Sequence, residues 1–168
     1  APSSDMVNVE NSSFSDINTD QELPHGKSFA FDKFGLDKAL IKSIKNEGFT
    51  VPTPIQDLAI LPLMSGCDLM GIAQTGSGKT AAFSLPLINK IMFEYARPQT
   101  NMPKALILAP TRELVMQIGQ FIDKFSRGTQ IKSLVIAGGQ PYAPQIRKLK
   151  YGVDILISTP GRLIDHMQ

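Results

Sequence analysis

The sequence predicts an α/β fold with a doubly wound, mostly parallel sheet, and two observations predict it. Short, continuous apolar runs alternate with segments in which apolar residues recur at helical spacing. A glycine-rich loop, Ala-Gln-Thr-Gly-Ser-Gly-Lys-Thr at residues 73–80, stands between one such run and a helical segment. Because strands and helices of this length alternate, we expect right-handed βαβ units.

The first elements along the chain are helical. Residues 1–27 are rich in Ser, Asn and Asp and poor in large apolar groups, so we predict a mobile polar tail there. Helical spacing then begins with Leu36, Leu40, Ile41 and Ile44. Gly48 is placed to end this helix, and Pro54 suits the first turn of a second helix that continues to Met64.

Four short apolar runs predict the strands: Leu69–Ala73, Ala105–Ala109, Leu134–Ala137 and Val153–Ile157. Continuous apolar runs are typical of parallel strands that are buried on both faces, so we expect that burial for the three runs that follow the glycine-rich loop. Helical patterns separate the runs, at Ala81–Ile91, Leu114–Phe125 and Pro144–Lys150. The length of 168 residues is enough for one domain with a core.

Charge and composition restrict the function only weakly. Residues 1–24 carry a net charge of −5 and the other 144 residues carry +7, which is compatible with a polyanionic partner. The single cysteine, Cys67, is expected to be a structural thiol and fits a reducing compartment. The sequence has no apolar run of transmembrane length and no signal-peptide pattern. These features predict a cytoplasmic protein, with the nucleus as the alternative.

The residue types in the glycine-rich loop suit phosphate binding. Glycines let the backbone curl so that successive N–H groups point at phosphate oxygens, although Ala73 replaces the usual first glycine. Lys79 would bind the β and γ phosphates, and the Thr80 hydroxyl would be a ligand of Mg²⁺. These two residues are the catalytic candidates. The predicted nucleotide contacts of the loop are Ala73, Gln74, Thr75, Gly76, Ser77, Gly78, Lys79 and Thr80.

Four further segments narrow the class of nucleotide-binding protein. Residues 48–56 read Gly-Phe-Thr-Val-Pro-Thr-Pro-Ile-Gln and precede the loop. The other three follow predicted strands: Pro-Thr-Arg-Glu-Leu at 110–114, Gly-Gly at 138–139 and Thr-Pro-Gly-Arg at 159–162. Open α/β sheets bind ligands at the carboxyl ends of their strands, and arginine matches a phosphate group bidentately.

Together these motifs resemble those of the first RecA-like domain of DEAD-box RNA helicases, over residues 29–168. The resemblance implies a RecA-like P-loop domain in an ATP-dependent RNA helicase, an NTP hydrolase that uses ATP and Mg²⁺. It divides the chain into the tail at 1–27 and a partial domain at 28–168, with a Q motif at 29–57 and the P-loop at 73–80. Its implied partners are single-stranded or locally duplexed RNA and a second RecA-like domain, in a monomer.

The resemblance also implies roles for individual residues. Gln56 would recognise adenine, because its amide can donate to N7 and accept from N6. Phe31, which lies 17 residues before Gly48, would pack against the base, with Phe29 and Phe34 as rivals and a core position as the alternative. Phe49 completes the nucleotide set. The residues expected at the RNA backbone are Pro110, Thr111, Arg112, Gly138, Gly139, Thr159, Pro160, Gly161 and Arg162.

Backbone contacts of this kind carry no sequence code, so the particular RNA is not predicted. Two alternatives stand beside the RNA roles. Arg112 could instead pair with Glu113 or another neighbour, and Gly138-Gly139 could be an ordinary turn at the end of a strand.

The chain stops at Gln168 before any Asp-Glu-Ala-Asp sequence. We therefore expect an amino-terminal fragment whose sheet is incomplete at its C-terminal end, which is marginally stable and hydrolyses ATP poorly. Asp154 is interpreted as a strand-entry residue and Asp165 as a solvated helix residue.

Two other functions compete with this interpretation. A non-catalytic fragment would bind nucleotide or RNA without turnover. A kinase or GTPase is disfavoured, since a GTPase would need an Asn-Lys-x-Asp motif and a kinase would not need residues 48–56.

Overall fold

The computed structural model describes residues 7–9, 28–76, 78–94 and 102–168. It separates into two compact units, Ala1–Leu87 and Ile88–Gln168, and the boundary falls within a helix. Both units are described in turn. The predicted α/β class with parallel strands is confirmed.

The first unit contains strands β1 (Val7–Val9) and β2 (Leu69–Gly71), helices α1 (Lys38–Asn46) and α2 (Pro54–Met64), and the start of α3 (Lys79–Phe93). β1 pairs with β2 in parallel, so part of the segment predicted to be a mobile tail is a strand here. Residues 1–6 and 10–27 lie outside the described residues, and the extent of the tail stays a prediction.

Local chemistry fixes where the first two long helices begin and end. The Asp37 carboxylate accepts a hydrogen bond from the N–H of Ala39 at 2.8 Å and caps α1. Gly48 follows this helix with φ at +81°, a conformation that favours glycine, and it ends the helix as predicted. Pro54 is the first residue of α2, where its missing N–H costs nothing.

The second unit contains β3 (Ala105–Leu108), α4 (Arg112–Ser126), β4 (Ser133–Ile136), α5 (Tyr142–Lys150), β5 (Ile155–Ser158) and α6 (Pro160–Met167). Its three strands are parallel and lie in the order β3-β5-β4. Only the central strand, β5, is buried at every residue. In β3 and β4 burial alternates, so the expectation of burial on both faces was wrong for these two strands. Among the described strands, each of them pairs on one side only.

A buried carboxylate joins the starts of these three strands. Asp154, which has no exposed surface, precedes β5 and lies 3.0 Å from the ammonium of Lys104, just before β3. Its other oxygen accepts from the N–H of Lys132 at 2.9 Å, just before β4. The carboxylate thus fixes the end of the sheet opposite to the predicted ligand edge.

The sheet is incomplete in the described residues, which hold one two-stranded and one three-stranded piece. None of the helices in the described part of the chain has the length and apolarity required to cross a membrane.

Candidate nucleotide and RNA-backbone sites

The phosphate loop lies between β2 and α3, as its sequence predicts. Gly76 and Gly78 have φ at +80° and +85°, so both adopt the left-handed conformation that other residues avoid. Helix α3 begins at Lys79, directly after these turns, and its free N–H groups and positive dipole end lie at the loop. Ser77 lies outside the described residues.

Lys79 reaches back across the loop that it follows. Its ammonium donates to the carbonyl of Ala73 at 2.5 Å, which places the positive charge at the first residue of the loop. Gln74, Thr75 and Gly76 are exposed between these two ends. The exposed backbone of residues 74–76 thus lies between the Lys79 ammonium and the N-terminus of α3. This arrangement suits a bound phosphate chain.

Gln56 is fastened to this loop rather than exposed beside it. Its Nε2 donates to the carbonyl of Gly78 at 3.2 Å, and its Oε1 accepts from the N–H of Thr53 at 3.0 Å. The side chain is almost completely buried. A Cβ on Gly78 would overlap Nε2 of Gln56, so only glycine permits the contact. The amide retains one N–H and one lone pair beyond these two bonds.

An apolar cluster packs around the segments that carry the Gln56–Gly78 hydrogen bond. Buried Ile55, Ala59 and Ala82 pack together, and the half-buried side chains of Leu63, Leu69 and Ala73 pack against them. The cluster joins α2, β2 and the start of α3, so the Gln56 segment and the loop form one packed body. Sequence spacing did not predict this link.

Phe31 lies in the core of the first unit. Its ring is fully buried and packs against three others, with centroid distances of 5.5 Å to Phe29, 5.9 Å to Phe34 and 6.1 Å to Phe49. This geometry matches the alternative of a core aromatic. An adenine contact by Phe31 would require the cluster to open, and that contact stays a prediction.

Residues 109–112, 137–139 and 159–162 meet at one edge of the second sheet. Leu108 and Ile136 both pair with Ser158, so the three parallel strands end in register. Helices α4, α5 and α6 begin just beyond these ends. Their N-terminal dipole ends favour an anion at this edge. Residues 102–168 carry nine basic and four acidic side chains, which adds a net charge of +5.

Arg112 meets the Gly138-Gly139 turn directly. Gly139 has φ at +80°, and a Cβ there would lie 3.0 Å from one terminal nitrogen of the Arg112 guanidinium. Next to it, the Thr111 hydroxyl caps α4 by accepting from the N–H of Leu114 at 3.2 Å. The hydroxyl can still donate to a phosphate. Pro110, Thr111, Arg112, Gly138 and Gly139 are all exposed.

Arg162 approaches the same turn from α6. One terminal nitrogen of its guanidinium donates to the carbonyl of Gln140 at 3.2 Å, and its Cζ lies 5.6 Å from the ring centre of Tyr142. Its Nε is buried without a hydrogen-bond partner among the described residues. Thr159 is the N-cap of α6 but makes no capping bond with its hydroxyl, and Pro160 and Gly161 follow it.

Four residues of this region were absent from the predicted set: Gln140, Tyr142, Gln145 and His166. Tyr142 and His166 stack with ring centres 4.2 Å apart and planes 7° from parallel. Partial burial lowers the pKa of His166, the nearby Arg162 charge lowers it further, and Asp165 opposes both. No spacing signal links α5 to α6, so the sequence offered no sign of this contact.

The side chains that could hold Mg²⁺ are few. Thr80 is half-buried in the first turn of α3, which suits the predicted ligand role. Across the described ranges, no three His, Cys, Asp or Glu side chains gather in a way that could hold a metal ion. Mg²⁺ is usually held by one or two protein oxygens together with phosphate and water oxygens, and the Thr80 hydroxyl is the protein oxygen that the sequence predicts for that role.

Comparison with known proteins decides the family. A family model described as DEAD/DEAH box helicase matches residues 53–168. The chain belongs to the DEAD/DEAH box helicase family. Among relatives in this family, DEAD-box ATP-dependent RNA helicase 20 of Arabidopsis thaliana is 45% identical over 139 residues, and ATP-dependent RNA helicase CshA of Listeria monocytogenes is 44% identical over 137 residues.

A solved structure of the same family supports the fold. The crystal structure of a DEAD box protein from the hyperthermophile Methanococcus jannaschii matches with a TM-score of 0.72 and 36% identity, over 82% of this chain and 36% of that one. The predicted RecA-like DEAD-box fold is thereby confirmed. The alignments cover 83% and 82% of this chain but only 28% and 25% of the two helicases, so the chain spans about a quarter of their length.

Proposed function

We propose that the protein is an ATP-dependent RNA helicase in which residues 28–94 bind an adenine nucleotide and residues 102–168 hold the RNA backbone. Membership of the family supports the class of activity, and both relatives named above are ATP-dependent RNA helicases by name. The remaining steps concern this chain's own residues. We place the protein in the cytoplasm, with the nucleus as the alternative, as a monomer whose second RecA-like domain completes the ATP site.

The hydrogen bond between Gln56 and the Gly78 carbonyl is the main observation that supports nucleotide binding by residues 28–94. It connects the segment expected to recognise adenine with the loop expected to bind phosphates. Lys79 and Thr80 would contact the phosphates and Mg²⁺, and the loop N–H groups would add neutral donors. The Gln56 amide is almost completely buried, so the residues that cover it would have to move before a base beside the loop could reach its remaining N–H and lone pair.

The RNA half rests on the edge formed by the three strand ends. Two guanidinium groups, Arg112 and Arg162, lie on the loop after β4, and three helices direct their N-termini to the same edge. Groups of this kind bind phosphates and sugars without reading bases. We therefore propose a sequence-independent track for one RNA strand.

A thermal melt with nucleotides tests the nucleotide half. The melting temperature of the chain is measured alone and with Mg-ADP or Mg-GDP at about 1 mM, because a ligand of the folded state raises the midpoint. We expect ADP, and not GDP, to raise the melting temperature. Equal shifts with both nucleotides, or none, would contradict adenine selection.

Substitution of Gln56 can distinguish recognition of the adenine base from structural support of the phosphate loop. Gln56→Met removes both hydrogen bonds at similar volume, and Gln117→Met makes the same change at an exposed site on α4. If Gln56 reads the base, Gln56→Met reduces the ADP shift selectively. If it only holds the loop, the variant also loses binding of inorganic triphosphate. Gln117→Met should behave as the wild type.

A further inference from the structure

A buried amide lies behind the proposed RNA edge and belongs to none of its motifs. Gln145 is only 5% exposed, although it belongs to a short helix rich in basic residues. Its Oε1 lies 2.9 Å from Nε2 of His166, and its Nε2 donates to the Oε1 of Gln140 at 3.3 Å. A buried amide destabilises a fold unless it is hydrogen-bonded, and here both of its ends have partners.

The two partners of Gln145 belong to different elements. Gln140 lies in the loop after β4, directly beyond Gly139, and His166 lies in the last turn of α6. His166 makes a second contact with α5, because its ring stacks on Tyr142. The Tyr142 hydroxyl in turn donates to the carbonyl of Asp165 at 2.9 Å. The amide therefore connects the loop after one strand to the helix after another.

The hydrogen bonds of Gln145 lead to one residue of the proposed RNA edge, Arg162. The carbonyl of Gln140 accepts from its guanidinium, and the Tyr142 ring lies beside it. Arginine has five N–H donors in a fixed plane, and the Gln140 carbonyl takes one of them. A guanidinium held in one orientation loses less entropy when it binds a phosphate than a free one does.

We propose that Gln145 is a positioning residue for RNA binding: its amide joins Gln140 to His166 and so holds the Arg162 guanidinium at the strand-end edge. This inference rests on the proposed function. Gln145 does not touch RNA, and its effect passes through Arg162.

The first test uses no RNA. In the structure, Oε1 of Gln145 accepts a hydrogen bond from the Nε2–H of His166, so proton NMR at neutral pH should show this imidazole proton protected from exchange with water. In Gln145→Met, which removes both hydrogen bonds and keeps the volume, the same proton should exchange much faster. An exchange rate that Gln145→Met leaves unchanged would show that the bond is absent and would overturn the proposal.

The second test measures binding of a dye-labelled oligouridine at several salt concentrations. Gln145→Met should bind about three- to tenfold more weakly, with the salt slope reduced by about one unit as expected for one lost phosphate contact. Gln120→Met, the same change at an exposed site on α4, should leave both quantities unchanged. Unaltered RNA affinity in a folded Gln145→Met variant would contradict the proposal.

Double variants show whether Gln145 acts through the arginine. Added to Arg162→Ala, the Gln145→Met change should weaken binding no further, whereas added to Arg112→Ala it should have its full effect. Equal effects in both backgrounds would mean that Gln145 supports the whole edge, against the proposal. If Gln145→Met does not fold, His166→Phe keeps the ring stack, removes the same hydrogen bond and should give the same loss.

The proposed function fails in a different way. If neither Arg112→Ala nor Arg162→Ala weakens RNA binding, the edge is not an RNA site. In that case the faster exchange of the His166 Nε2–H in Gln145→Met still reports the hydrogen bond, but its proposed role in RNA binding falls with the site.

Discussion

Single residues at the strand-end edge are constrained by backbone conformation and by their neighbours. Gly139 combines a φ of +80° with a position where a Cβ would lie 3.0 Å from the Arg112 guanidinium, which would have to shift slightly. Gly138, its neighbour, has neither constraint, since a Cβ there would meet nothing within 4 Å. Substitutions at these two positions can therefore distinguish a position that requires glycine from one that does not.

Gly139→Ala should lower the free energy of unfolding by about 1 kcal/mol, because alanine is strained at positive φ. It should also weaken oligouridine binding, since the Cβ displaces the Arg112 guanidinium. Denaturant unfolding and fluorescence anisotropy measure the two effects. Gly138→Ala is the control, and an equal loss from both substitutions would show that the Arg112 contact has no special role.

The residue types of both candidate sites could be predicted from sequence, but their partners could not. Gly76 and Gly78 have the conformations that a phosphate loop requires. The bonds from Gln56 to Gly78 and from Gln145 to His166 connect residues 22 and 21 positions apart. Such pairs depend on how elements pack, and one sequence contains no signal for them.

At the scale of elements, the predicted order of strands and helices is confirmed, while the predicted ends differ by a few residues. Apolar runs and helical spacing located β2 to β5 and the long helices. The strand Val7–Val9 was missed because it is short and lies in a polar segment. Burial on both faces was predicted for the three runs after the phosphate loop, but a run of apolar residues does not reveal whether a strand is central or at an edge.

The carboxylate that joins the three strand starts should stabilise the second unit. Asp154→Asn removes the charge that faces Lys104 and weakens the hydrogen bond from the Lys132 N–H, so it should lower the free energy of unfolding by about 2 kcal/mol. Asp57→Asn is the matched control. Its pair with Lys33 is about half exposed on both sides, so it should cost less than about 0.5 kcal/mol. Equal losses of unfolding free energy from the two substitutions, measured by denaturant titration, would contradict the stabilising role of Asp154.

Helix α6 should make stability depend on pH through His166. Its pKa in the folded state lies below the ordinary value of 6.5, so the unfolded chain binds the proton more readily. The stabilisation is therefore complete above pH 6.5 and decreases as the pH falls from there through the folded-state pKa. Between about pH 7.5 and about pH 5.5, the wild type should lose more melting temperature than His166→Gln does. Parallel curves would contradict this.

At the scale of the whole molecule, nucleotide binding and turnover should separate. We propose that Lys79 and Thr80 contact the phosphates and Mg²⁺, which concerns binding alone. Phosphoryl transfer also requires a residue that orients the attacking water. We expect this chain to bind Mg-ATP and to release phosphate far more slowly than a two-domain helicase does. Turnover near the rate of such a helicase in a phosphate-release assay would contradict this.

Charge is also distributed by region across the molecule. Residues 28–94 carry six basic and six acidic side chains, whereas residues 102–168 have an excess of five positive charges. Raising the salt concentration should thus weaken RNA binding steeply and affect ADP binding little.

The strand order β3-β5-β4 has a consequence for synthesis on the ribosome. The two flanking strands are translated first, but they do not pair with each other, and both must wait for Ile155–Ser158 to emerge. Until then their backbone edges and apolar side chains stay open to wrong partners, including other nascent chains. Pairing of these three described strands is therefore tied to β5, the last of the three in chain order, and it cannot begin until Ser158 has left the exit tunnel.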